Sequence, residues 1–154
     1  MLALSDAGIL LGRTAADWRG AVLLAGEGLE AAGFAAAPYG QRMVGMVEEF
    51  GAYIVIAPGL ALAHARPGPD VVTSGMSVVT LTEPVVFGHP YNDPVSVVLG
   101  LAVITADEHV AGIAELANVF NDSSAIGRLA AARSVADVRA VFDVPGVSSF
   151  RERH

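Results

Sequence analysis

His64 and Arg66 stand two residues apart at the end of an apolar run, in the stretch IAPGLALAHARPGPD from Ile56 to Asp70. In extended chain, residues two apart point to the same side. A guanidinium beside an imidazole disfavours imidazolium, which gives a structural pair nothing. It suits the handling of an anion: the imidazole stays neutral and nucleophilic, and the guanidinium binds oxyanions through paired donors. Pro67-Gly68-Pro69 then ends the run. A strand-to-loop junction of this kind is held by the sheet yet reaches solvent. The same spacing fits a surface histidine and arginine flanking a turn, and spacing alone leaves both readings open.

A second histidine has a defined place. Thr105 followed by Glu108 is a capping box, so His109 falls in the first turn of a helix. Helix N-termini attract anions, and His109 is able there to donate one N–H to an oxyanion. Taken alone, it reads as one more polar first-turn residue after Asp107 and Glu108. His89, in FGHPYNDP, reads as a loop residue, and His154 is terminal. Three histidines can hold zinc, but no HxH or HExxH spacing supports a site built from His64, His89 and His109. No metal or cofactor is expected. GxSxG, P-loop and calcium-loop motifs are absent from the sequence. Glu48 and Glu49 are adjacent on a helix and diverge.

These residues need elements to position them. TAADWRGAVLLAGEGLEAAG reads as a helix, with Thr14 as N-cap, Trp18 as a core anchor and Gly33 as its stop. PYGQRMVGMVEEFG reads as a second helix, entered at Pro38 and left at Gly51, with Met43, Met46, Val47 and Phe50 as its apolar face. AYIVIAP and GLALA are strand-like. GMSVVTLTEPVVF gives two short strands split by Pro84, and DPVSVVLGLAVIT gives a strand buried on both faces. The helix capped at Thr105 has Val110, Ile113, Ala114, Ala117 and Phe120 as its core-facing stripe. DSSAIGRLAAAR, capped by Asp122, and SVADVRAVF, opened by Ser134, complete the helices. Two helices, a block of strands, then helices predict a single-domain α/β sandwich with a central mixed sheet flanked by helices. One domain is expected over 1–154, with its core at about 8–143 and a polar tail, 144–154, that frays.

Composition narrows the class. Of 154 residues, 53% are hydrophobic, yet no run reaches the ~18 unbroken apolar residues of a membrane span. The start has no basic leading region, so no signal peptide is read. There is no cysteine, hence no disulfide and no thiol nucleophile. These features fit a cytoplasmic protein. The formal net charge is −7 and every cation is arginine, which argues against nucleic acid as a partner.

YIVIAPGLALAHARP and PVVFGHPYNDPVSVVLGLAVITADEHVAGIAELANVF resemble the EIIA proteins of the phosphoenolpyruvate-dependent sugar phosphotransferase system. The resemblance is to the mannitol/fructose superfamily, nearest its ascorbate-type branch, and runs from about Asp17 to Phe142. The family's GxAxxHxR-like string places its phosphorylated histidine on His64. The pattern EHxxxIAxL, Glu108 to Leu116, places the second active-site histidine on His109. The resemblance implies a phosphocarrier that takes phosphate from the small carrier HPr and passes it to a cysteine of a separate EIIB, serving a separate membrane EIIC. The alternative is a phosphorylation-dependent regulatory module acting on a partner protein. Mannitol-type members carry an active-site arginine roughly where this chain has Glu48; Arg66 is the candidate to bind phosphate in its stead. Many relatives have proline immediately before the histidine, where this chain has Ala63. Leu60 and Leu62 are expected in an apolar rim around His64. The resemblance leaves the transported sugar and the oligomeric state open.

Overall fold

The apolar run Val95–Ala102 is buried on both faces along nearly its whole length, as a strand with no polar alternation must be. In the computed structural model, which describes residues 2–143 and 151–153, it lies inside a six-stranded sheet. The strands are β1 (Ala3–Arg13), β2 (Val55–Ala57), β3 (Leu60–His64), β4 (Gly75–Val85), β5 (Val95–Ala102) and β6 (Arg151–Arg153). Their spatial order is β2-β3-β5-β4-β1-β6. β3 runs parallel to β5, and β1 parallel to β4 and β6; the β4–β5 and β2–β3 pairs are antiparallel. The sheet is therefore mixed.

Helices close both faces. α1 (Trp18–Ala31) and α2 (Pro38–Phe50) pack on one; α3 (Ala106–Phe120), α4 (Ala125–Ala130) and α5 (Val135–Phe142) pack on the other. Alternate side chains of each strand feed the two cores. Ala61, Ala63 and Val98 face α1 and α2, while Leu62, Leu99 and Leu101 face α3 to α5. α1 approaches closely because small residues line the contact. The Ser77 hydroxyl donates to the Ala25 carbonyl at 2.7 Å, and a Cβ on Gly28 would come within 2.8 Å of the Ser77 Cβ. The α/β sandwich with a central mixed sheet is the expected fold.

Several local expectations are corrected. A strand precedes the first helix. β1 contains SDAG, which looks like turn chemistry, and its pairing with β4 slips between Leu4 and Ile9; this bulge breaks the alternation that marks a strand. Leu2 and Leu4 are fully buried, so the core starts well before residue 8. Thr14 faces Thr82 across the sheet at 3.1 Å, and Asp17 caps α1 instead, accepting from the Gly20 N–H at 2.9 Å. Trp18 does pack on the core, but from its edge, half-buried against Phe87. Pro84 does not split β4; it sits where pairing with β5 is irregular, between Thr80 and Val85, a position that needs no ladder N–H. Ser124 is the N-cap of α4, and Asp122 holds the Ser124 N–H at 2.8 Å. Gly33 (φ 79°), Pro38, Gly51 and Ser134 stand where expected. Of the expected tail, 151–153 form β6, while 144–150 and His154 lie outside the described residues.

Candidate functional site

His64 is the last residue of β3 and pairs with Leu101 near the end of parallel β5. The chain leaving β5 turns through Thr105 directly into α3. The carboxyl ends of two parallel strands and the start of a helix thus meet at one edge, the usual site of binding in α/β sheets. His64 and His109 come together there, with ring centroids 5.2 Å apart and planes tilted by 51°.

The His64 ring is oriented by its own strand. Its Nδ1 lies 2.9 Å from the Leu62 carbonyl oxygen. A carbonyl only accepts, so Nδ1 carries the proton and Nε2 keeps its lone pair. Burial is the main cause that holds the His64 pKa below its ordinary 6.5; the Leu62 bond opposes it, and His109 adds to the lowering. The result is a neutral imidazole at pH 7 with one free nucleophilic nitrogen. The charge behind the lowering is that of His109, not the Arg66 guanidinium expected from the spacing.

His109 is held through the capping box. The Thr105 hydroxyl accepts from the Glu108 N–H at 3.1 Å. The Glu108 carboxylate accepts from the Ile104 N–H at 3.2 Å and from the Ser74 hydroxyl. The Ser74 bond is the largest cause of a lowered Glu108 pKa. Ser74 immediately precedes β4, so the first turn of α3 is tied to the sheet.

Arg66 is exposed, with its Cζ 6.0 Å from the centre of the Phe50 ring. It lines, with His64 and His109, a groove of about 330 Å³. A second groove of about 410 Å³ opens on the other side of the histidines, walled by Tyr53, Ile56, Leu62, Ile113 and Phe120. Among the described residues, no Asp, Glu, Lys or Arg lines it. Leu62 is in this rim as expected, whereas Leu60 is fully buried in the core. Glu48 pairs with Arg19 at 3.4 Å. His89 sits at the opposite end of the sheet, in the loop joining the end of β4 to the start of β5. Its Nδ1 accepts the N–H groups of Tyr91 and Asn92 at 3.1 and 3.0 Å. The three histidines do not converge.

Two tyrosines escaped the sequence reading. Tyr53 meets the His64 ring edge-on, with centroids 5.9 Å apart. Tyr39 is buried and its hydroxyl lies against Ala65 and Leu101. Tyr53 sits in an apolar run and Tyr39 in the first turn of an amphipathic helix, places where an aromatic residue signals core and nothing else.

Fold and site together define an α/β domain that presents a neutral histidine with its Nε2 unprotonated, beside a second histidine, in an apolar depression at a sheet edge. The sequence pattern of the phosphoenolpyruvate-dependent sugar phosphotransferase system EIIA 2 family matches residues 3–144, and the chain belongs to that family. It is 39% identical over 136 residues to the ascorbate-specific PTS system EIIA component of Escherichia coli K12, covering 88% of each chain. The crystal structure of IIA mannitol from E. coli superposes with a TM-score of 0.77 at 31% identity, over 88% of this chain and 95% of that one. The enzyme IIA of the E. coli mannitol system, solved in complex with phosphorylated enzyme IIB, superposes at 0.76 with 30% identity, over 88% and 93%.

Proposed function

We propose that this EIIA component carries a phosphoryl group on Nε2 of His64, receiving it from the phosphohistidine of HPr and passing it to a cysteine of EIIB. The observation that carries the reading is the Nδ1 bond to Leu62, which leaves Nε2 as the one ring nitrogen with a free lone pair. In the first step the Nε2 lone pair attacks phosphorus in line. The donor's P–N bond breaks, and its imidazole keeps the electron pair. In the second step a cysteine thiolate attacks, the Nε2–P bond breaks, and His64 returns to its neutral form. Such a transfer asks the protein for placement and for stabilisation of charge on the equatorial oxygens, with little covalent work. His109 and Arg66, which share the groove with His64, supply the donors. The charge-free walls of the second groove suit apolar docking of each partner in turn. None of the 154 residues is cysteine, so the accepting thiol lies outside them, on an EIIB that serves a separate membrane EIIC. Similarity to the ascorbate-specific component supports a sugar acid as the transported class. No helix among the described residues is long and apolar enough to cross a membrane, which supports a cytoplasmic place for the relay.

The test is incubation with phosphoenolpyruvate, Enzyme I and HPr, followed by intact-mass measurement. A single phosphoryl adduct, stable in base, lost in acid and missing from His64→Ala, is the expected outcome. A wild-type chain left unmodified by competent partners overturns the reading.

A further inference from the structure

The segment Ala65–Asp70, which follows His64 and carries Arg66, is gripped at both ends by α2. At the near end stands Tyr39, 1% exposed. Its hydroxyl accepts from the Ala65 N–H at 3.0 Å and lies 2.6 Å from the Leu101 carbonyl and 3.2 Å from that of Ala65. A phenol has one proton to give, and the shorter contact identifies Leu101 as its acceptor. The Ala65 N–H belongs to the peptide group that leaves His64, and Leu101 is the residue opposite His64 in the sheet. One hydroxyl therefore locks the peptide after His64 to the strand beside it, and with it the direction in which the imidazole leaves the backbone. At the far end, one turn along α2, Arg42 forks onto Asp70: Nε at 2.8 Å from one carboxylate oxygen, Nη2 at 2.6 Å from the other. The guanidinium lies 5.2 Å from the Tyr39 ring centre, and a Cβ on Gly68 would come within 2.7 Å of it. The turn is laid directly on the clamp. Neither side chain reaches the groove shared by His64 and His109.

We propose that Tyr39 and Arg42 are positioning residues, which hold the two ends of Ala65–Asp70 so that His64 presents Nε2 and Arg66 stays at the groove mouth. The proposal rests on the phosphocarrier reading for its kinetic consequence only; the ring geometry it predicts is measured without any transfer. Tyr39→Phe removes one oxygen and leaves the ring in place. Long-range ¹H–¹⁵N spectra of the wild type are expected to show His64 protonated on Nδ1. In Tyr39→Phe the amide spectrum stays dispersed while the His64 ring passes to a mixture of tautomers. The rate of phosphoryl transfer falls about ten- to a hundredfold, as misplacement of a reacting group implies, with KM for phospho-HPr unchanged. A merely structural tyrosine would lower the unfolding midpoint and leave the His64 tautomer and kcat alone; that result overturns the proposal. A wild type that takes no phosphate defeats the phosphocarrier reading, and the tautomer measurement still decides this one. Should Tyr39→Phe not fold, Asp70→Asn, which keeps the side chain's shape and breaks the ion pair, carries the test. Broadened amides at Ala65, Arg66 and Gly68 and a broadened His64 ring signal support the clamp, and unchanged signals overturn it.

Discussion

Burial is the largest influence on His64, and it acts against positive charge. The folded-state pKa therefore lies below the 6.5 of an unperturbed histidine. Between those two values the unfolded chain binds a proton that the folded chain refuses, so stability rises with pH through that window. The contribution is fully present above about 6.5 and is lost as pH falls to the folded value. His109 adds to the lowering from 5.2 Å away. We expect His109→Ala to raise the pH at which His64 titrates, to slow phosphoryl transfer and to leave the amide spectrum dispersed. An NMR titration of the His64 ring, run beside rapid-quench transfer kinetics, checks both effects; an unmoved titration with an unchanged rate removes His109 from the site. At this scale the two histidines could be found from the sequence because each stands beside polar or turn-forming neighbours. Tyr39 could not, because its task is one hydroxyl aimed at backbone groups 26 and 62 residues away.

The elements explain where the apolar surface of the site comes from. On α3 the stripe Val110, Ile113, Ala114, Ala117, Phe120 was expected to face the core. Ile113 and Phe120 do pack, half-buried, against it, but the buried residues are Gly112, Leu116 and Val119, while Ala114 and Ala117 are exposed and Val110 is 68% exposed. On α2, likewise, Met43, Val44 and Val47 are buried, while Phe50 is half exposed and Met46 lines the groove mouth. Both helices carry more apolar width than the core covers, and the surplus overhangs His64. Periodicity gives the width of such a face but not its phase, since Ala114 and Leu116 satisfy a helical repeat equally well. The start of α3 was readable because a cap is a local chemical pattern. Thr105→Ala is expected to cost about 1 kcal/mol, the usual worth of an N-cap. Its effect should be concentrated in the first turn: amide exchange at Glu108 and His109 should quicken before that at Leu116 or Val119. Uniform acceleration along α3 would mean that the cap supports the helix as a whole rather than the histidine.

Across the whole molecule, one sheet separates two cores and ends in the site. The fold class was readable because β5 is apolar without alternation, and such a strand demands cover on both faces. β1 was not, because its bulge at Ser5–Gly8 reverses the parity of Leu4 and Ile9, which nevertheless face the same core. What fixes the distance between the α1 layer and the sheet is a seam of small residues rather than a large side chain. Gly100, opposite Ala63 in the sheet, is its tightest point. A methyl group there would collide with the Ser77 hydroxyl and come within 3.0 Å of the Ala25 carbonyl. Those two atoms are already hydrogen-bonded to each other, so neither gives way without breaking the bond that joins helix and strand. Gly100→Ala should therefore destabilise the fold by about 1–3 kcal/mol, the range for overpacking a tight core, although it adds apolar surface and removes a flexible glycine. The strand in question lies one register position from His64. If α1 is lifted as a rigid layer, urea denaturation will show the loss while the His64 ring signals stay put. If the strand moves instead, those signals will shift with it. Unchanged stability would mean that the seam has slack, and the close approach of α1 would need another cause.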